Sequence, residues 1–260
     1  MSIWEYETNS DWKADENTFY QTKCLYCRAP LVRDLVNEFS VAVNEELRDF
    51  TLNDRTRVFI GICPACGWWK CAMGSYYSDA KPCYDLKLAV LRRLDLSCLK
   101  IPINEVRDYL VARYEERYNV HPRVFEEVVA DVFRNHGYRA NVTAYSGDGG
   151  IDVILEDDEG NSTGVQVKRY KDRISVSQIR ELTGALVIGG HTKGIFVTTS
   201  EFQSGALTTA AMSEIRGYPI ELIDASQFYD VLKIAQLSTM REVIYRKPWG
   251  NISDGMSWRT

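Results

Sequence analysis

All seven cysteines of this chain lie between Cys24 and Cys98, and none follows in a sequence of 260 residues. Four of them form two C-x2-C pairs, Cys24 with Cys27 and Cys63 with Cys66. A C-x2-C turn aims both thiolates at one point, and two such turns complete a closed tetrahedral four-sulfur site. Four buried free thiols would not explain the paired spacing. The pattern therefore predicts one structural Zn²⁺, and with it a small zinc-ribbon-like domain over residues 21–100. The gap between the pairs is longer than in a tight ribbon, and an inserted pair of strands would fill it. Cys71, Cys83 and Cys98 are spare, and need no role beyond that of small buried side chains.

Residues 1–16 carry five acidic residues and no apolar run, so no secretory leader is expected there. No segment approaches the roughly 18 apolar residues of a membrane span. Thiols in such a chain point to metal rather than disulfides, and to a reducing cytoplasm. The formal net charge of −5 argues against a protein that coats nucleic acid by bulk charge. A local basic groove stays open, because net charge does not say where charges sit.

The cysteine-free part has its own rhythm. Residues 1–20 are a polar lead, 101–120 read as a linking helix closed by Pro122, and 236–260 form a C-terminal tail. Between them, residues 121–235 alternate. A helix over 123–136 is stopped by Gly137 and followed by strands over 138–144, 151–156 and 164–170. Helices over 176–188, 204–216 and 225–234 then alternate with strands over 194–199 and 219–223. This order predicts an α/β domain with a mixed sheet flanked by helices.

Polar residues sit in two of these strands where apolar ones are usual. Asp152 follows Gly149-Gly150-Ile151, and Gln166 and Lys168 lie in Val165-Gln166-Val167-Lys168, giving D-x13-Q-x-K. Strand side chains alternate, so Gln166 and Lys168 share a face about 6.6 Å apart, while Val165 and Val167 face the core. The acidic turn at 157–161 makes the two strands an antiparallel pair that would set Asp152 beside Gln166. Phosphodiester hydrolysis needs an activated water and a stabilised anionic transition state. Mg²⁺ supplies both and takes oxygen ligands. Asp152, the Gln166 amide oxygen and the Val167 carbonyl offer such oxygens, and Lys168 can orient the water or neutralise developing charge.

The segments Phe125-Glu126, Gly147-Asp148-Gly149-Gly150-Ile151-Asp152-Val153 and Gln166-Val167-Lys168-Arg169-Tyr170 resemble the motifs of the Mrr-like restriction endonuclease family. So does Lys193-Gly194-Ile195-Phe196-Val197-Thr198-Thr199-Ser200-x-Phe202. The resemblance covers residues 121–235. It implies a PD-(D/E)xK nuclease fold, Mg²⁺-dependent cleavage of DNA, and restriction of foreign, often modified, DNA. Gln166 stands where the superfamily's usual acidic residue would be, which removes one negative charge from the metal site. A structure-specific repair or recombination nuclease, and a non-catalytic zinc-ribbon adaptor binding DNA or a partner, are the alternatives.

The resemblance places a further acidic residue at Glu126, and helix geometry agrees. Phe125, Val128, Val129, Val132 and Phe133 form an apolar stripe that Glu126 borders, while Glu127 shares the solvated face with Asp131 and Arg134. Arg169, Lys171, Trp68 and Lys70 are candidate DNA contacts, as are the aromatic Tyr76 and Tyr77, with Trp68 or Trp69 also suited to a small core. His121 and His191 lack partners at ligand spacing and read as structural. Asp148 reads as a turn former that could also serve catalysis. Cutting both strands needs two active sites, so a homodimer is expected.

Overall fold

The computed structural model describes residues 3–6, 20–35, 56–75, 83–144 and 149–246. Tyr76, Tyr77, Asp148, most of the polar lead and the end of the tail lie outside the described residues. The chain divides into two compact units, residues 1–93 with 237–260, and residues 94–236.

The first unit carries a five-stranded antiparallel sheet in the order β1-β5-β4-β3-β2, built from β1 (Trp4–Tyr6), β2 (Val32–Leu35), β3 (Thr56–Ile62), β4 (Trp69–Ser75) and β5 (Cys83–Leu91). Strands β2 and β3 pair between the two C-x2-C turns, with Val32 opposite Ile62, and so fill the long gap. Trp68 is fully buried, and its indole N–H donates to the Ala89 carbonyl at 2.9 Å. Tyr26 stands edge-on to Trp4 with ring centres 4.9 Å apart, and the Trp4 indole donates to the Cys66 carbonyl at 2.7 Å. Trp68 and Lys70 are both wholly buried, which removes them from the candidate DNA contacts. Lys70 sits within the central strand β4 of this sheet, where an ammonium cannot reach a phosphate.

The second unit begins with α1 (Ile103–Ala112), a 3-10 turn (Tyr114–Asn119) and α2 (Pro122–Asn135). The expected helix over 101–120 is thus shorter, because the backbone leaves helical geometry at Arg113. Pro122 starts the next helix rather than merely closing this one. It stands at the first helical position, where a missing N–H costs nothing. His121 caps that helix, its Nδ1 accepting from the Arg123 N–H at 3.1 Å. His191 pairs with the Ser162 hydroxyl at 2.8 Å, so both histidines hold structure.

A mixed sheet follows in the order β10-β9-β8-β7-β6. Its strands are β6 (Arg139–Val142), β7 (Val153–Glu156), β8 (Ser162–Lys168), β9 (Lys193–Thr198) and β10 (Ile220–Ile223), with α3 (Val176–Gly189), α4 (Ser204–Ile215) and α5 (Ala225–Arg246) between and after them. Strands β6, β7 and β8 are antiparallel neighbours, whereas β8, β9 and β10 run parallel. The β7–β8 connection is a tight turn in which Asp157 accepts from the N–H groups of Glu159 and Asn161, at 3.0 and 2.8 Å. Helix α5 runs past Ile234, the end expected from the sequence, to Arg246. Leu232, Ala235 and Gln236 are buried, and no proline or glycine interrupts the segment before Pro248.

Two glycines set how close α3 comes to the sheet. Gly164 on β8 lies opposite Gly194 on β9. A Cβ on Gly164 would fall 2.8 Å from Ile151 Cδ1 and 2.9 Å from Leu186 Cδ2, and one on Gly194 would fall 2.6 Å from Leu186 Cδ1. The fully buried Leu186 of α3 therefore seats directly on bare backbone. Overpacking a filled core costs about 1–3 kcal/mol. Gly164→Ala should lose that much in denaturant unfolding, and an unchanged midpoint would show that Leu186 has room to move.

Candidate active site and candidate metal centre

The end of β8 is where the second unit's polar residues converge. The β7–β8 register ends with Val153 opposite Val165, one residue short of Asp152. Asp152 bulges from the ladder and bonds to the same β8 residue that Val153 faces. The Asp152 N–H donates to the Val165 carbonyl at 2.8 Å, and on its other side the Asp152 carbonyl accepts from Thr143 N–H at 3.0 Å. Asp152 Oδ2 then accepts from the Val167 N–H at 2.6 Å, taking the place a backbone carbonyl would have held. The carboxylate is thereby locked onto the strand that carries Gln166, Val167 and Lys168.

Strand β8 is central, and both of its faces are covered. Val165 and Val167 are buried on one side, while Gln166 is only 3 % exposed on the other. The Gln166 Oε1 is buried without a hydrogen-bond partner among the described residues. An orphaned buried oxygen of this kind costs about 1–3 kcal/mol unless something meets it. Lys168, two residues on and partly exposed, shares the face of Gln166. Gly149 and Gly150 both take positive φ, at +63° and +92°, which lets the chain turn into Asp152. The structure thus ties Asp152 to the segment of β8 that carries Gln166, Val167 and Lys168.

Glu126 lies on α2, whose apolar stripe of Phe125, Val128, Val129, Val132 and Phe133 is buried. Its carboxylate pairs with Arg123 at 3.0 Å, whereas Glu127 reaches Arg134 at 4.0 Å on the solvated side. Arg169 is less a surface group than a brace, its guanidinium donating to the Tyr118 carbonyl. Lys171 is exposed, with its Nζ 5.7 Å from the Tyr118 ring centre.

In the first unit, the sulfurs of Cys24, Cys27, Cys63 and Cys66 all lie within 4.8 Å of one another. Cys24 and Cys66 sulfurs are 3.6 Å apart, and those of Cys27 and Cys63 are 3.4 Å apart. A tetrahedral metal with bonds of about 2.3 Å to sulfur places its ligands about 3.8 Å from each other. Hydrogen bonds from its three neighbours hold the Cys24 thiol far below its ordinary range. Donating to Cys24 pushes Cys63 and Cys66 well above theirs, and burial adds to it. Four sulfurs so crowded cannot all ionise without a cation among them, and the donor set suits zinc. Of the spare cysteines, Cys71 is half-buried and Cys98 exposed, and the side chain of Cys83 lies outside the described residues.

Residues 117–232, under half of the chain, match the model of the Mrr_cat restriction endonuclease family. Over 112 residues the chain is 31 % identical to the type IV methyl-directed restriction enzyme EcoKMrr of Escherichia coli (strain K12), an alignment covering 40 % of this chain and 37 % of that enzyme. The chain therefore spans little more than a third of the length of the curated relative it matches. Among solved structures, the DNA modification-dependent restriction endonuclease AspBHI aligns at 15 % identity and TM-score 0.36, over 68 % of this chain and 60 % of that one. The EndoMS–dsDNA complex aligns at 15 % identity and TM-score 0.30, over 65 % and 77 %.

Each C-x2-C turn ends in a left-handed residue. After Cys66 it is Gly67, at φ +76°, but after Cys27 it is Arg28, at φ +64°. A side chain in that region costs about 1–2 kcal/mol, part of which glycine returns through its freer unfolded chain. Arg28→Gly should raise the unfolding free energy of the first unit by about 0.5–1 kcal/mol. A fall in chemical stability instead would mean that the arginine side chain contributes more than its backbone costs.

Proposed function

We propose that the chain is a Mg²⁺-dependent DNA endonuclease of the restriction or defence type, acting on modified and especially methylated DNA. The observation that carries this reading is the buried Gln166 Oε1, without a hydrogen-bond partner among the described residues, on the strand that bears Lys168 and whose Val167 N–H holds Asp152. That oxygen has the character of a ligand awaiting a hard cation. The methyl-directed activity in the name of the Escherichia coli relative supports the choice of substrate.

Asp152, Gln166 Oε1 and the Val167 carbonyl would hold Mg²⁺. In a strand, a residue's N–H and C=O point to the same side. Val167 turns its N–H to Asp152, so its carbonyl faces the same edge. When bound, the cation would polarise a water and the scissile phosphate and offset negative charge. The Val167 N–H fixes one oxygen of Asp152, so the carboxylate enters the reaction already oriented. Lys168 projects its ammonium from the same face as Gln166, where it orients the attacking water and neutralises charge on the phosphate as the bond breaks. Glu126 supports the metal or its water from the neighbouring helix. Lys171 contacts the DNA backbone, and Arg169 holds the loop that presents it. In the first unit, Cys24, Cys27, Cys63 and Cys66 hold a structural Zn²⁺. Cleaving both strands calls for two copies of the chain.

The test is cleavage of supercoiled plasmid, methylated or unmethylated, with Mg²⁺ or with EDTA. Lys168→Ala and Asp152→Ala should each lower cutting by about 10²-fold or more while melting as the parent does. Near-parental cleavage by Lys168→Ala would dismiss the assigned site. Glu126→Gln should depress cleavage strongly and Glu127→Gln barely, and equal or reversed activities would remove Glu126 from the reaction.

Purified protein should contain one Zn²⁺ per chain. Structural zinc contributes on the order of 10 kcal/mol to folding a small domain. Cys63→Ser should therefore unfold the first unit and spare the second. Zinc-free protein, prepared under conditions that spare metal, would refute the four-cysteine centre.

A further inference from the structure

The parallel pairing of β8 with β9 ends at Lys168 opposite Thr198. Beyond that point the two backbones part, because the chain after Lys168 must loop back to start α3. Carbonyls leaving a buried ladder lose their partners, and each orphan costs about 1–3 kcal/mol. Here three successive hydroxyls meet them. Thr198 Oγ1 donates to the Lys168 carbonyl at 3.1 Å. Thr199 Oγ1 donates to the Tyr170 carbonyl at 2.9 Å, and Ser200 Oγ to the Lys171 carbonyl at 3.0 Å. The Lys168 carbonyl takes a second bond, from the Thr199 N–H at 3.2 Å.

These three residues are 0 %, 0 % and 7 % exposed. Three buried hydroxyls in a row are costly unless each is used, and valine would fill a strand end equally well. The row is itself braced from outside. The Thr199 carbonyl accepts from Arg117 Nε and from the Tyr118 hydroxyl, both at 3.1 Å. Arg169, at the start of the loop, returns to the Tyr118 carbonyl. The peptide immediately after Lys168 is therefore fixed from the β9 side, and the exposed Tyr170 and Lys171 stand on a backbone held at two consecutive carbonyls.

Resting on the active site proposed above, we propose that Thr198, Thr199 and Ser200 form a hydroxyl rail of positioning residues. Thr198 sets the angle at which Lys168 enters the active site. Thr199 and Ser200 hold the loop that lays Tyr170 and Lys171 along the DNA. None of the three touches the reacting atoms. Their effect is the placement of those that do, where a shift of about 1 Å can cost about 10²-fold in rate.

The rail divides the kinetic consequences. Thr198→Val keeps the packing and removes one hydroxyl. It should lower kcat on Mg²⁺-loaded cleavage of methylated plasmid by about 10-fold or more, with KM for DNA little changed. Thr198→Ser should restore the parental rate, which a purely steric role for the threonine methyl would not allow. The double variant Thr199→Val with Ser200→Ala should instead raise KM. Hydrogen exchange over residues 169–173 reads the same contacts without cleavage, and should speed up in both valine variants but not in Thr198→Ser. Parental kcat and unchanged exchange in Thr198→Val, alongside an inactive Lys168→Ala, would overturn the rail and leave the active site standing. Parental cleavage by Lys168→Ala would overturn the active site, and the rail as a positioning device with it.

Discussion

Strand β8 is asked to do two incompatible things, and the second unit is arranged around that conflict. Its neighbour on one side runs antiparallel and its neighbour on the other runs parallel, so both of its edges are paired and both of its faces are covered. A strand so enclosed should be apolar throughout. Instead it buries the Gln166 amide and delivers Lys168 to the point where the ladder on each side runs out. On the β7 edge the ladder is finished by a carboxylate, Asp152 Oδ2 on the Val167 N–H. On the β9 edge it is finished by hydroxyls, beginning with Thr198 on the Lys168 carbonyl. Side chains complete what the backbone cannot, and polar groups collect there for that reason. The same end of a parallel segment is where open α/β sheets bind ligands.

Much of this was legible in the residues. The D-x13-Q-x-K spacing across a short acidic turn implied an antiparallel pair with Asp152 beside Gln166. The antiparallel pair forms as far as Val153 opposite Val165, and Asp152 then bulges to bond Val165 and Val167 instead of facing Gln166 in register. The alternation of Val165 and Val167 with Gln166 and Lys168 likewise survived folding. The apolar stripe of α2 was readable too, as was the separation of Glu126 from Glu127. What escaped was whatever depends on three-dimensional neighbours. Thr198, Thr199 and Ser200 were visible as part of a motif, but nothing in a lone sequence says that their hydroxyls will meet three diverging carbonyls. Lys70 looked like a surface cation beside aromatic residues, and its burial follows from the strands around β4. The break at Arg113 and the extension of α5 to Arg246 lay beyond local propensity, since neither coincides with a proline or glycine.

The first unit illustrates a different economy. Its two C-x2-C turns perform the same geometric task with different residues at the left-handed position, Gly67 after one pair and Arg28 after the other. Backbone N–H bonds such as Gly67 to the Cys63 carbonyl, at 3.0 Å, shape the turn. The aromatic residues Trp4, Tyr26 and Trp68 then pack against each other and against the turns, with the Trp4 indole tied to the Cys66 carbonyl. A sheet this small has little core of its own, and a four-sulfur centre with an aromatic collar is a compact means of fastening it.

The bond between Asp152 Oδ2 and the Val167 N–H gives the protein a built-in gauge. An amide proton held 2.6 Å, donor to acceptor, from a carboxylate oxygen is sensitive to the charge on that oxygen. Anything that draws electron density from Asp152, whether a proton, a divalent cation or a phosphate drawn in behind it, will be felt at Val167. The resonance of that one backbone amide would follow the electrostatic state of the centre continuously, without any label and without turnover.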